Sequence, residues 1–454
     1  MKFLSNRHKR QFRIVSARWQ RRAIFLLGGI AVGAAAVALA QLADLAQIAF
    51  SALVSKFRYA SLAVTPLGFA LSVFLINRFF PNAQGSGIPQ AIAARHLTDQ
   101  TARTNLVSLR IAAGKIILTL FGLLCGASVG REGPTVQIGA SIMFALGRFS
   151  PRRQPGLILA GAAAGVAAAF NTPLAGIVFG IEEMSRAFET RTSSLIIAAV
   201  IAAGLTSLAL MGNYTYFGTS PAALRNGIDW LAVPLCGVVG GLAGGLFSRI
   251  LIAVARGFAN PVGRAIKRYP IGFAAICGLA TAVCGIVSGD TVYGTGYAQV
   301  KAALESGSQL PASFSVLKFL ATTFASISGM AGGIFAPSLA VGAGLGADIA
   351  RLFHDAPLPA IMLLGMVSYF AGVVQAPITA FVIVTEMTDN HAMVVPLMAA
   401  AMIAYASSRL ICKEGVYHAL AKGFMEPSSP ALPEADIATH SNASPANASP
   451  ANSS

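Results

Sequence analysis

The segment Arg131–Ala140 reads REGPTVQIGA, and 203 residues later the segment Ile334–Ala343 reads IFAPSLAVGA. Pro134 and Pro337 fall in register, as do the small residues near the end of each segment. A proline followed by an apolar run is typical of the first turn of a helix, where its missing N–H leaves no bond unmade. The match therefore predicts two equivalent helices in distant parts of the chain.

Two further matches lie at nearly the same spacing. NTPLAG, which begins at Asn171, resembles QAPITA, which begins at Gln375, and Glu183-Met-Ser resembles Glu386-Met-Thr. The offsets are 204 and 203 residues. Membrane transporters are often built from two repeats that meet at the transport site. We therefore predict two related halves, about residues 23–212 and 228–412, while inverted and parallel arrangements both remain open.

The composition is that of a membrane protein. Of the 454 residues, 55% are hydrophobic and only 11% are charged, against about a quarter charged in soluble domains. Runs of about 20 apolar residues, enough to cross a bilayer, recur along the chain, with clear examples at Ala23–Ala40, Ile111–Val129, Leu231–Val254, Pro270–Val287 and Ala392–Ser408. We predict an all-α polytopic membrane domain over residues 23–425 with roughly ten to fourteen helical elements.

The two ends of the chain differ from this domain. Residues 1–22 carry eight Lys or Arg and no acid, which predicts a basic segment retained in the cytoplasm rather than a nucleic-acid site. Residues 426–454 end in repeated Ser, Asn, Ala and Pro, a composition typical of disorder. The five cysteines form no C-x-x-C pair, so neither a disulfide, a metal site nor a cofactor is predicted.

Three segments share the form Gly-x-x-x-Pro before an apolar run: Gly85–Pro89, Gly130–Pro134 and Gly333–Pro337. Glycine allows the backbone to bend and a ligand to approach closely. The first turn of a helix has unpaired N–H groups and partial positive charge, which inside a membrane must find a partner. Broken helices of this kind, meeting at a central point, predict a site for a dehydrated anion.

These motifs, GSGIP, GREGP and GIFAP, together with Tyr417 in VYHAL, resemble the CLC family of chloride channels and chloride/proton antiporters. The resemblance covers about residues 80–420. It implies inverted halves, a homodimer with one pore per subunit in the lipid bilayer, location in a bacterial inner membrane, and transport of chloride and protons.

The resemblance also implies the residues of the anion site. The hydroxyls of Ser86 and Tyr417 and the backbone N–H groups of Ile334 and Phe335 are expected to coordinate chloride. Neutral donors bind an anion without trapping it. Taken alone, Ser86 is also a helix N-cap and Tyr417 an interfacial anchor.

Glu132 is the most informative acid, because a carboxylate in the bilayer centre costs roughly 2.5–3.5 kcal/mol. It matches the gating glutamate of the family: ionised, it occupies the anion position, and protonated, it moves away. The structural alternative is a salt bridge with Arg131. Glu183 matches the acid that antiporters of the family tend to keep for protons from the cytoplasm, whereas a pairing with Arg186 is the alternative. Glu182 is expected to matter much less.

Gln90 departs from the pattern of the family, because it replaces the acid that often follows the first proline. Lys115 lies in an apolar run and has no evident partner in the sequence. We expect a different charge network around the first motif.

The sequence therefore predicts proton-coupled chloride antiport and no enzymatic activity. A passive chloride channel of the same fold is the nearest alternative, and Glu183 argues against it. A fluoride exporter is disfavoured by the setting of Ser86. A cation-coupled solute carrier would need clustered acids, and a membrane-embedded enzyme would need a catalytic set that the six scattered histidines do not form.

Overall fold

The computed structural model describes residues 2–149, 153–185, 193–212, 214–225, 227–353 and 356–425. The regular structure within these ranges is helical, and the chain contributes only two isolated backbone bridges there and no β-strand. The predicted disordered tail at 426–454 lies outside the described residues.

Nineteen α-helices lie within the described ranges. In chain order they are α1 (Lys2–Lys56), α2 (Ser61–Phe79), α3 (Ile88–His96), α4 (Gln100–Leu106), α5 (Leu109–Leu124), α6 (Glu132–Leu146), α7 (Gln154–Phe170), α8 (Pro173–Phe179), α9 (Ser193–Met211), α10 (Ala232–Arg256), α11 (Pro261–Arg268), α12 (Pro270–Val287), α13 (Tyr297–Ser306), α14 (Phe314–Ile327), α15 (Phe335–Ala350), α16 (Leu358–Val374), α17 (Pro377–Thr388), α18 (Val394–Ile411) and α19 (Val416–Met425). Short 3₁₀ turns at Gly147–Phe149 and Ile228–Leu231 and a π-helical segment at Gly180–Ser185 complete them.

The helices are those of a multi-pass membrane protein. Six in the described part of the chain are long and apolar enough to cross a membrane, and six more apolar helices have 10–17 residues. The total exceeds the predicted ten to fourteen elements because Pro and Gly divide the apolar runs into shorter helices. The backbone of the predicted basic segment 1–22 is continuous with the first apolar run, because both belong to α1 (Lys2–Lys56).

The centre of the molecule is formed by two equivalent helix pairs. Helix α7 packs on α6, and α16 packs on α15. Both α7 and α16 are buried on almost all sides, as expected of helices that are apolar all round. Gly139 contacts Gly161 in the first pair and Gly342 contacts Gly365 in the second, and a Cβ at any of them would meet the backbone of its partner. The two contacts are separated along the chain by the same spacing as the repeated motifs.

The helices α8 and α17 show how the two halves are related. Glu386, near the end of α17, accepts hydrogen bonds from Leu174 N and Ala175 N at the start of α8 (3.1 and 2.8 Å). Glu182, just after α8, accepts from Ile378 N and Thr379 N at the start of α17 (3.1 and 2.6 Å). The two helices therefore run antiparallel and each is capped by the other, as inverted halves require.

This reciprocal capping corrects one detail of the sequence comparison. The sequence comparison pairs Glu386 with Glu183. In the structure, the residue that makes the same capping contacts as Glu386 is Glu182, one position earlier. The reason is the π-helical segment Gly180–Ser185, because a π-bulge inserts one extra residue into a helix. Glu182 and Glu386 are 204 residues apart, whereas Met184 and Met387 are 203 apart. The extra residue between Glu182 and Met184 is therefore Glu183. The exact limits of the two halves remain a prediction.

Candidate functional site

The three Gly-x-x-x-Pro segments meet in the structure. Gly85 N donates to Met330 O (2.9 Å), and Gly332 N donates to Gly85 O (3.0 Å). Gly130 and Gly333 exchange two hydrogen bonds, each 2.7 Å long. These contacts form the two isolated bridges found among the described residues. They bring the beginnings of α3, α6 and α15 to one junction, where the N-terminal ends of three helices converge.

A cavity of about 1020 Å³ reaches this junction, and its lining includes Ser86, Ile334 and Tyr417. The Tyr417 ring lies 5.8 Å from the ring of Phe335, the first residue of α15. The structure thus brings together all four residues predicted to coordinate the anion. Their role in binding stays a prediction.

The two predicted hydroxyl ligands differ in their present partners. Ser86 Oγ accepts a hydrogen bond (3.3 Å) from the backbone N–H of Ile88, the first residue of α3, and its O–H can still donate. The N-cap of α3 is Gly87 and not Ser86. The Tyr417 hydroxyl is buried and makes no hydrogen bond to any described residue. A buried hydroxyl without a partner costs roughly 1–3 kcal/mol, which an anion accepting its proton would recover.

Glu132 is the first residue of α6 and is fully buried. The hydroxyl of Tyr216, in the segment after α9, donates to Glu132 Oε1 (2.9 Å). Oε2 makes no hydrogen bond within the described residues, and the carboxylate interacts electrostatically with the backbone N–H of Ala336, in the first turn of α15. A negative charge is stabilised at this end of a helix. The carboxyl group therefore lies where the sequence predicts an anion.

Arg131 does not form the salt bridge with Glu132 that was the structural alternative. Its Nη1 donates to Asp44 Oδ1 and to Ala40 O of α1, both at 2.6 Å. Its guanidinium also lies 5.9 Å from the ring centre of Tyr216. Arg131 contributes positive charge near Glu132, but its hydrogen bonds anchor the loop before α6 to α1.

Glu183 is buried beside a second cavity of about 570 Å³. His418 Nε2 lies 2.7 Å from the backbone oxygen of Glu183 and 3.6 Å from its Oε1. Arg186, the partner considered for Glu183 from the sequence, lies outside the described residues. Glu182 also lines this cavity, but its carboxylate is engaged in capping α17 and accepts a third bond from Thr379 Oγ1 (2.7 Å).

Around the first motif, the side chains of Lys115 and Gln90 donate hydrogen bonds to backbone carbonyl oxygens. Lys115 Nζ donates to Gln84 O and Gly85 O (3.2 and 2.9 Å), and no ion pair to it occurs among the described residues. Gln90 Nε2 donates to Asn82 O and Gln84 O (3.3 and 2.7 Å). The amide of Gln90 and the amino group of Lys115 thus converge on the turn that carries Ser86.

Sequence reasoning did not identify Tyr216, Asp44 or His418 as part of these sites. Tyr216 follows the first half in a segment without a motif, and Asp44 lies on α1, 87 residues before its partner. His418 offered a weak signal, because it directly follows Tyr417.

Comparison with known proteins gives a consistent result. Residues 68–409 match the family described as voltage gated chloride channel. The chain is 31% identical over 391 residues to an H(+)/Cl(−) exchange transporter ClcA of Yersinia pseudotuberculosis, covering 80% of this chain and 78% of the relative. It is 34% identical over 370 residues to the ClcA of Citrobacter koseri, covering 76% of each.

Two solved structures share the fold. A slow cyanobacterial Cl⁻/H⁺ antiporter superposes with a TM-score of 0.77 and 25% identity, covering 89% of this chain and 98% of that one. A CLC-type fluoride/proton antiporter superposes with a TM-score of 0.74 and 22% identity, covering 88% and 97%. The second likeness is one of fold alone.

Proposed function

The chain belongs to the voltage-gated chloride channel (CLC) family, and we propose that it exchanges chloride for protons across a membrane. The burial of the Glu132 carboxyl group at the start of α15, where three helix N-termini converge, carries this proposal. A buried carboxylate in that position competes directly with an anion for the same positive ends of helices.

Chloride is proposed to bind between the hydroxyls of Ser86 and Tyr417 and the backbone N–H groups of Ile334 and Phe335. The cavity of about 1020 Å³ supports this assignment, since it leads to Ser86, Ile334 and Tyr417. All four groups are neutral donors, which bind a dehydrated anion strongly enough for it to enter and weakly enough for it to leave.

Glu132 is proposed as the gate that couples the two ions. Ionised, its carboxylate occupies the anion position and accepts a hydrogen bond from Tyr216. Protonation removes its charge and its attraction to the helix N-terminus, so the side chain moves away and chloride takes its place. Each exchange between side chain and chloride therefore requires one proton to bind or leave.

Glu183 is proposed to receive protons from the cytoplasmic side. Its position beside the second cavity supports this role, because water in that cavity can reach the carboxyl group while the chloride cavity lies elsewhere. A passive chloride channel would have no use for a buried acid at this place.

The surroundings of the protein are also part of the proposal. We expect a homodimer in a bacterial inner membrane, with the N-terminus in the cytoplasm. The exposed side chains of Leu174 and Ile378, 57% and 50% accessible, suit either lipid or a second copy of the chain. Cross-linking in native membranes and the mass of the detergent-solubilised protein test the dimer.

Reconstitution tests the function. Purified protein in liposomes with an outward chloride gradient is expected to move protons against their own gradient while chloride flows down its gradient. Chloride flux without uphill proton movement would instead identify a passive channel.

A further inference from the structure

Helix α19 separates the two cavities of the transport site. Tyr417 lines the first cavity and the next residue, His418, lines the second. Consecutive residues of a helix point about 100° apart, so one helix presents a predicted anion ligand to one side and an ionisable imidazole to the other. The imidazole lies next to Glu183, the acid proposed to receive protons.

We propose that His418 relays protons between the second cavity and the Glu183 carboxylate. This inference rests on the proposed antiport function and assigns it a further residue. His418 is the more accessible of the two groups, with 18% of its side chain exposed against 4% for Glu183. A proton from the cavity therefore meets the imidazole before it meets the carboxylate.

The geometry defines how the proton moves. A carbonyl oxygen can only accept, so His418 Nε2 carries a hydrogen and donates it to Glu183 O at 2.7 Å. The same nitrogen is 3.6 Å from Glu183 Oε1, which is longer than a hydrogen bond. Transfer therefore needs a movement of under about 1 Å, or one water molecule from the cavity.

The transfer balances in protons and charge. A hydronium ion in the cavity gives a proton to Nδ1 and becomes water, which makes the imidazolium. The proton on Nε2 then passes to Oε1 of the Glu183 carboxylate. The products are a neutral carboxylic acid and a neutral imidazole protonated at Nδ1. Exchange with water in the cavity restores the first tautomer, and the reverse sequence releases a proton from Glu183.

The other charges around the cavity are compatible with this role. Besides His418, the ionisable groups of the described residues that line it are Glu182, Glu183, Tyr405, Arg409, Lys413, Glu414 and Lys422. Glu182 is held by the start of α17. The hydrogen bond from Lys422, together with Arg256 of α10, lowers the pKa of the Glu414 carboxyl below its usual value. Glu414 therefore stays ionised at neutral pH.

Helix α3 also contributes a cation near Glu183. Arg95 donates to Met184 O (2.9 Å) and to Ser185 Oγ (3.1 Å), in the two residues that follow Glu183. Among the described groups that line the cavity, the imidazole of His418 is the one that can accept a proton at one ring nitrogen and donate another from the second.

The test compares His418→Gln with the wild type in liposomes, measuring chloride-driven proton movement at symmetric pH values from 5 to 8. Glutamine can still donate to Glu183 O but carries no proton. Positioned proton-transfer groups contribute about 10²–10⁴-fold, and water in the cavity provides a slower parallel route. We expect proton movement per chloride to fall about tenfold or more, and the dependence of proton movement on pH to differ from that of the wild type.

His391→Gln is the matched control. His391 lies beyond the other end of α17, is largely exposed and contacts Asp389 at 3.4 Å. It is expected to keep the wild-type coupling and pH profile. The pH response that Glu132 contributes is common to all three proteins and cancels in the comparison.

A second variant distinguishes loss of the relay from loss of the fold. His418→Ala leaves space beside the cavity, and added imidazole is expected to restore proton movement in it. Normal coupling in His418→Gln, or no rescue in a folded His418→Ala, would overturn the relay and leave antiport standing. Equal loss of chloride and proton flux with an unchanged pH profile would reduce His418 to a structural contact. If the wild-type protein itself carried chloride without moving protons uphill, both the antiport and the relay would be overturned.

Discussion

The two halves of the molecule contain the same turn, and only one of them opens to the anion cavity. Gly85-Ser86-Gly87 precedes α3, and Gly294-Thr295-Gly296 precedes α13. All four glycines have positive φ, 62° and 92° in the first turn and 63° and 79° in the second. In each turn the hydroxyl accepts from the N–H two residues on, at 3.3 and 3.2 Å.

The similarity extends to a buried lysine behind each turn. Lys115 donates to Gly85 O at 2.9 Å, and Lys318, at the equivalent position of the second half, donates to Gly294 O at 2.8 Å. Both side chains are fully buried. A lysine amino group in such a place needs carbonyl partners, and the turn supplies them.

The difference lies in what faces the hydroxyl. Ser86 lines the cavity of about 1020 Å³. Thr295 instead faces Gln47 of α1, whose Oε1 accepts from Thr295 N (3.0 Å) and Oγ1 (3.3 Å). An amide oxygen from the chain itself thus takes the place that an anion would take in the other half. The duplicated backbone therefore provides two possible sites, and a neighbouring side chain decides which one stays open.

The largest expected effect on transport comes from removing the negative charge at the start of α6, which the start of α15 lacks. Glu132 begins α6, and its equivalent in the second half is Phe335, which begins α15. Glu132→Gln makes both starts neutral and mimics the protonated gate. We expect chloride flux to persist with no pH response and proton movement to vanish, as measured in liposomes. A wild-type pH response in this variant would place the gate at another residue.

Next in size is the effect of the inserted residue, Glu183, which has no equivalent in the second half. Glu183→Gln is expected to keep chloride flux and anion preference while uphill proton movement is lost. Glu182→Gln is the matched control: it keeps one acceptor oxygen for the start of α17 and is expected to retain coupling. Coupling lost in Glu182→Gln but retained in Glu183→Gln would show that the wrong acid had been chosen.

Removing the hydroxyls of Ser86 and Thr295 tests whether only the first of the two turns serves the anion site. Ser86→Ala removes a hydrogen bond to a charged ligand, worth roughly 1.5–3 kcal/mol, so the nitrate-to-chloride flux ratio is expected to change about tenfold or more. Thr295→Ala removes the hydroxyl contacts with Gln47 and with Tyr297 N but no contact with the anion cavity, and it should leave that ratio unchanged. An unchanged ratio in folded Ser86→Ala would reduce Ser86 to a hydrogen-bond acceptor for Ile88 N at the start of α3.

The smallest effect is expected from the lysines. Lys115→Met and Lys318→Met each deprive two buried carbonyls of a donor, so both should lower the free energy of unfolding by about 1–3 kcal/mol. Only Lys115 polarises the turn of Ser86, and its loss should weaken chloride binding about three- to tenfold, or about 0.7–1.4 kcal/mol. Calorimetric titration with chloride measures this, and equal affinities in the two variants would contradict it.

The membrane class, the duplication and the three motifs that begin α3, α6 and α15 could all be predicted from the amino-acid sequence. This is possible because composition, proline position and repeat spacing are properties of short segments. The same local reasoning identified Glu132, since a carboxylate in an apolar segment is costly wherever it lies. The predicted span Pro270–Val287 coincides with α12 for the same reason, because a continuous apolar run with a proline at its start contains no second break.

Which of these groups contact one another follows from the packing of the helices and could not be predicted from the sequence. His418 reaches Glu183 across 235 residues of chain, and Gln47 reaches Thr295 across 248. In the reciprocal capping of α8 and α17, Glu182 and not Glu183 is the equivalent of Glu386, because Glu183 occupies an inserted position that sequence matching does not reveal. Side-chain contacts of this kind follow from how helices pack and rotate against one another, and no local pattern of residues encodes the position of a partner on another helix.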